Sequence, residues 1–142
     1  MNNLIFQPVI VMCLLSFIMM VWMYATRLPA AKKLQEDGID VQKFSHPSTI
    51  GGIFPSEVER VADNYNHLFE QPVAFYALVV AIAMINSFDL FLVQLAWIFV
   101  VLRVVHSMVP ITFNFVPLRF FLFCLGWFVL AYMAYYQFNL LS

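Results

Sequence analysis

Four long apolar stretches, residues 4–25, 58–85, 88–109 and 118–138, decide what this chain can become. A helix of about 20 apolar residues crosses the ~30 Å hydrocarbon core of a bilayer. A helix also satisfies its own backbone polar groups where no water reaches. The predicted fold is therefore all-α: a four-transmembrane-helix bundle forming a single membrane domain over residues 1–142. The first stretch has no basic residues before it, is too long for a signal-peptide core, and meets its first cation, Arg27, only afterwards. It reads as a retained transmembrane helix.

The connections are equally legible. Residues 27–56 form a polar segment with Lys32, Lys33, Glu36, Asp37, Gly38, Asp40 and Lys43. It ends in a turn-rich run at 46–56, HPSTIGGIFPS, expected to be non-helical. Asn86 and Ser87 join the second and third spans as a tight antiparallel hairpin. Pro110 and Pro117 bracket a second loop, ITFNFV.

Every lysine and arginine, namely Arg27, Lys32, Lys33, Lys43, Arg60, Arg103 and Arg119, falls in the first or third loop or at a bordering span end. The positive-inside bias then places both termini outside and those loops in the cytoplasm, in what is read as a bacterial inner membrane. Trp127, Tyr132, Tyr135 and Tyr136 fit lipid contact and an outer interfacial belt. Charged residues are only 11% of the chain, so nucleic acid has no electrostatic footprint to grip. Cys13 and Cys124 lie in apolar runs without a CxxC pattern, which argues against a disulfide framework or zinc site.

One polar row interrupts this pattern. Between residues 56 and 72 the chain reads SEVERVADNYNHLFEQP, and on a helix Glu59, Asp63, Asn66 and Glu70 fall within roughly 60° of one another. His67 and Arg60 flank them. The apolar residues 73–85 extend only about 20 Å as a helix, so the second span must begin inside this stripe. Carboxylates at the edge of a membrane are costly and mark functional sites. Pro72 is expected to kink the helix just above the stripe.

Arg103 and His106 share a face of the third span, and Arg119 enters the fourth immediately after Pro117 and Leu118. A buried arginine needs a partner, and Glu70 or Asp63 is expected to supply it, with Glu70–Arg103 the foremost pair. Purely structural ion pairs would use the same residues. A di-metal carboxylate site would need acidic residues on more than one helix, so no metal is expected. Ser107 adjoins His106 and so points elsewhere, which disfavours a Ser–His nucleophile. A transporter would be expected to show an inverted repeat, and none is visible. What remains is a cytoplasm-facing site suited to a small zwitterionic peptide beside an apolar molecule from the bilayer. Arginines would fork carboxylates, Glu70 would receive an amine, and an arginine beside a thiol would favour the reactive thiolate.

These residues resemble the MAPEG family, the membrane-associated proteins of eicosanoid and glutathione metabolism. The resemblance rests on Glu59-Arg60 followed by Glu70 and an aromatic-rich apolar run, and on Arg103-Val104-Val105-His106-Ser107 followed by Pro117-Leu118-Arg119. It is nearer the microsomal prostaglandin E synthase and glutathione transferase branch than the leukotriene synthase branch. The resemblance implies a homotrimer of four-helix subunits that binds glutathione as co-substrate between neighbours. By position, Arg27 matches an arginine ending the first helix, and Glu70 the carboxylate that holds the glutathione amine. Arg103 and His106 match third-helix ligands, and Arg119 the arginine thought to activate the thiol. The family's asparagine before its glutamate is His67 here, with Asn66 adjacent. Asp63 and Pro110 replace an arginine and a tyrosine, and Phe120 a small hydroxyl residue.

Two functions are expected on this basis. One is a glutathione-dependent transferase or peroxidase acting on lipophilic electrophiles or lipid hydroperoxides, with Arg119 catalytic and Arg27, Asn66, His67, Glu70, Arg103 and His106 binding the tripeptide. The alternative is a non-catalytic membrane protein that holds a lipid or a membrane-protein partner in the same crevice.

Overall fold

A computed structural model describes residues 4–40, 42, 52–86 and 88–141. After a 3₁₀ turn (Leu4–Phe6) the chain forms α1 (Gln7–Glu36), α2 (Ser56–His67), α3 (Gln71–Ile85), α4 (Leu90–Ile111) and α5 (Val116–Leu141). Counted as one segment, Ser56–Ile85, α2 and α3 make the second of four segments long and apolar enough to cross a membrane. The expected all-α four-span bundle is what forms.

The boundaries differ from the sequence reading in instructive ways. The first helix does not stop at residue 25 but continues through Arg27 and Pro29 to Glu36, about 45 Å in all. Lys32, Lys33 and Glu36 are good helix formers, and the exposed Lys32–Glu36 pair at 4.0 Å sits one turn apart, so solvent suits this extension as well as lipid suits the rest. The expected loop of residues 27–56 is thus helical in its first part. Lys43 and most of the HPSTIGGIFPS run lie outside the described residues. At the third connection, Pro110 does not end the helix: α4 runs through it to Ile111, and α5 begins at Val116 with Pro117 in its first turn. A proline in a first turn loses nothing, because that N–H has no intrahelical partner.

The second span is broken, where the sequence suggested a kink. Pro72 has no N–H for the carbonyl of Leu68, so α2 cannot run on. It tightens into successive i→i−3 bonds from Leu68, Phe69 and Glu70, and α3 restarts with Pro72 in its first turn. Glu70, at φ −95° and ψ −91°, is the pivot.

The core is made by packing, because lipid tails compete with any apolar side chain and interior contacts must win on fit. Phe75 stacks on Phe99 at 4.6 Å. Ile5, Met12, Val79, Ile82, Leu92, Ala96 and Met133 are fully buried around them. Ile10, Leu14, Phe17, Val101, Phe128 and Phe138 point outward, a pattern that fits lipid contact. At the end of the bundle distant from the α2–α3 break, Asp89 caps α4 by accepting from the Leu92 N–H at 3.0 Å. The same carboxylate accepts from the Tyr136 hydroxyl at 2.6 Å and ties α4 to the end of α5. Of the four aromatics expected in a lipid-facing belt, Trp127, Tyr132 and Tyr135 are exposed, whereas Tyr136 is half-buried on this clasp.

Candidate functional site

The helix break sets up the site. Ending α2 at His67 leaves carbonyl oxygens without their usual partners and turns Glu70 sideways. Arg103, 1% exposed on α4, answers the first problem: its Nη2 donates to the His67 carbonyl at 3.0 Å. A cation at a helix C-terminus also suits the helix dipole. Nη1 of Arg103 donates to Gln71 Oε1 at 3.3 Å, and Gln71 Nε2 donates onward to the Phe123 carbonyl of α5 at 2.7 Å. Four helices are thereby joined through two buried side chains. Gly126 makes this possible, because a Cβ there would sit 2.7 Å from Gln71 Oε1.

The expected Glu70–Arg103 ion pair is not formed within the subunit. The Glu70 carboxylate instead contacts His67 Nδ1 at 3.1 Å. The break explains this, since it carries Glu70 out to a half-exposed position while Arg103 stays in the core. Asn64, also fully buried, donates to the Ser107 carbonyl at 3.1 Å and fastens α2 to α4 one turn below.

A pocket of about 280 Å³ opens beside this strut, lined by His67, Glu70, His106, Val116, Arg119, Phe120 and Phe123. His106 is 3% exposed, and neither ring nitrogen has a hydrogen-bond partner among the described residues. Its ring lies near those of His67 (6.3 Å) and Phe123 (6.5 Å). Arg119 is half-buried, and its Nη1 donates to Asn114 Oδ1 at 3.0 Å. Among the described residues no carboxylate lies within ion-pair distance of it, so its charge borders the pocket without a direct ion pair, although Glu70 shares the cavity.

His67, Glu70, His106 and Arg119, drawn from three regions of sequence, therefore share one cavity. Arg103 lies behind the wall, not in it. Arg27 sits on α1 with its guanidinium 5.0 Å over the Phe54 ring, and Asn66 is exposed; neither lines the pocket. Asp63 and Glu59 are likewise outside it, with Glu59 accepting from the Gly52 N–H at 2.7 Å. Sequence reasoning missed Asn64, Gln71, Asn114 and Gly126. Asn64 and Gln71 are seven apart and share a helical face, but so do Asp63 and Glu70, and the spacing does not say which of the two faces is buried.

The arrangement offers a cation, an unpartnered imidazole and a carboxylate at one end, and an aromatic wall at the other. It can bind an anion or thiolate next to an apolar group. The model of the MAPEG family matches residues 5–138, nearly the whole chain. No curated protein matches the chain, and no solved structure does. The chain belongs to the MAPEG family, as an integral membrane protein with the four-helix fold expected of it.

Proposed function

We propose that this MAPEG protein is a membrane-bound glutathione-dependent transferase or peroxidase that acts on lipophilic electrophiles or lipid hydroperoxides. The observation that carries the reading is Arg119: half-buried, bonded to a neutral amide, and free of any carboxylate at ion-pair distance among the described residues. An uncompensated cation beside a pocket stabilises an anion there, and the reactive form of glutathione is its thiolate. Glu70 would receive the tripeptide amine, and His67 and His106 would add hydrogen bonds. Val116, Phe120 and Phe123 would take the apolar co-substrate. The thiolate would attack an electrophilic carbon or a peroxide oxygen, with the departing group leaving with the bonding pair.

Arg103 contributes by closing α2, which keeps Glu70 and His67 at the pocket edge. Arg27 and Asn66 would reach the tripeptide only from a neighbouring subunit, as the proposed homotrimer allows. The motifs around Glu70, Arg103 and Arg119 resemble those of the microsomal prostaglandin E synthase and glutathione transferase branch. The cytoplasmic side is proposed for the pocket, with both termini outside a bacterial inner membrane, because the cations that flank the spans gather at this end. Calorimetric titration of glutathione into the detergent-purified protein tests the reading. Saturable binding that weakens in Glu70→Gln supports it, and no binding defeats it.

The second reading, a non-catalytic holder of lipid or of a membrane-protein partner, draws on Asp63 and Pro110, where the family commonly has arginine and tyrosine. It keeps the pocket and drops the thiolate. Bound lipid with no glutathione affinity would favour it.

A further inference from the structure

We propose that Asn114 is a positioning residue that holds the Arg119 guanidinium toward the pocket while leaving its charge intact. The inference rests on the reading of Arg119 as the group that stabilises a bound thiolate.

The link between α4 and α5 is short and pinned. Thr112 donates from its N–H and from Oγ1 to the Met108 carbonyl, at 3.1 and 2.9 Å, and the Asn114 N–H donates to the Val109 carbonyl at 2.8 Å. To make that last bond Asn114 adopts φ +47°, the left-handed conformation in which glycine is the easiest residue and asparagine the best tolerated of the others. Glycine would close the turn equally well. What asparagine adds is Oδ1, which accepts from Arg119 Nη1 at 3.0 Å.

The neutrality of that acceptor matters as much as its position. A carboxylate in the same place would pair with Arg119 and spend the positive charge inside the loop. An amide fixes one edge of the guanidinium, and the remaining N–H groups and the full charge stay available to the cavity. The other ionisable groups at that cavity are Glu70, His67 and His106, so a bound thiol would feel Arg119 as the dominant fixed cation. A rigid turn presenting a neutral acceptor is a way to aim a long side chain without quenching it.

The test compares Asn114→Gly, Asn114→Asp and Arg119→Ala with the wild type, each purified in detergent and checked for assembly. Asn114→Gly keeps the left-handed turn and removes the side-chain amide with its Oδ1 acceptor; Asn114→Asp keeps an acceptor and adds charge. The readouts are the pH dependence of thiolate absorbance for bound glutathione and the pH–rate profile with an activated aryl halide. Both Asn114 variants are expected to bind glutathione and to titrate its thiol at higher pH than the wild type. Turnover near neutral pH should fall several-fold in Asn114→Gly. In Asn114→Asp it should approach the Arg119→Ala level, a loss of roughly 10²-fold. Wild-type profiles in both Asn114 variants, alongside a shifted profile in Arg119→Ala, would overturn the positioning role alone. An unshifted Arg119→Ala, or a wild type that forms no bound thiolate, would overturn the Arg119 reading and the positioning role with it.

Discussion

Arg103 and His67 are joined by a hydrogen bond from the guanidinium Nη2 to the main-chain carbonyl at 3.0 Å, so the buried cation of α4 closes the end of α2. Arg103, one of the arginines expected at the site, thus stands behind the pocket wall within the subunit. Its charge is held by backbone and amide oxygens while Glu70 remains at the pocket edge.

That geometry separates two substitutions that a buried Glu70–Arg103 pair would make about equally costly. Arg103→Met should destabilise the protein by about 1–3 kcal/mol, chiefly because the buried Gln71 Oε1 loses its donor while the His67 carbonyl keeps only the longer bond from the Glu70 N–H at 3.4 Å. Glu70→Gln should cost roughly 1 kcal/mol or less, because the His67–Glu70 contact is about half-exposed. Thermal unfolding in detergent measures both. Equal losses would mean that Glu70 and Arg103 form the buried pair after all.

Gly126 gives a second, independent check on the strut. Gln71 is held at both ends of its amide, so a methyl on Gly126 cannot be accommodated by simple rotation. Gly126→Ala should cost roughly 1–3 kcal/mol in the wild type. In a Gln71→Ala background the same change should be neutral or favourable, since alanine is the better helix former. Additive effects of the two substitutions would show that the residues do not touch.

The Asp89 clasp predicts a pH dependence. The Tyr136 hydroxyl, and after it the Leu92 N–H, hold the Asp89 carboxyl below the usual carboxylate range. A group whose folded pKa is depressed stabilises the fold above its unfolded pKa, about 4 for aspartate, and loses that contribution as pH falls through the folded value. Unfolding temperature should therefore drop more steeply below about pH 4 in the wild type than in Asp89→Asn. Identical acid profiles for the two proteins would remove the clasp from the account.

How much of this was legible in sequence depends on the kind of information required. Hydropathy alone specifies four spans, and the polar row from Glu57 to Glu70 rightly draws attention to one region. Which side of that row turns inward is a tertiary matter. The stripe of Asp63 and Glu70 was singled out for its charge, yet Asn64 and Gln71, about 100° further round the helix, are the buried pair. Packing of α2 against α1 and α4 decides that choice, and no local pattern reports it. The expected Glu70–Arg103 pair failed for a related reason: the partners of Arg103 are a main-chain carbonyl and an amide, and helix-end carbonyls carry no sequence letter. Arg119 and Glu70 were legible by position, but Asn114 was not. Its contact with Arg119 depends on a left-handed turn seen only once α4 is known to run past Pro110.

The most direct test of the central claim is the state of the glutathione sulfur in the wild-type protein and in Arg119→Ala. Glutathione is titrated into each purified, assembled protein at neutral pH, with ultraviolet thiolate absorbance and turnover of a model electrophile followed in parallel. The account predicts saturable binding with a thiolate signal in the wild type. In Arg119→Ala it predicts binding that is only modestly weaker, no thiolate signal, and a loss of turnover of roughly 10²-fold or more. A wild type that binds no glutathione, or an assembled Arg119→Ala protein with unchanged thiolate and turnover, would contradict it.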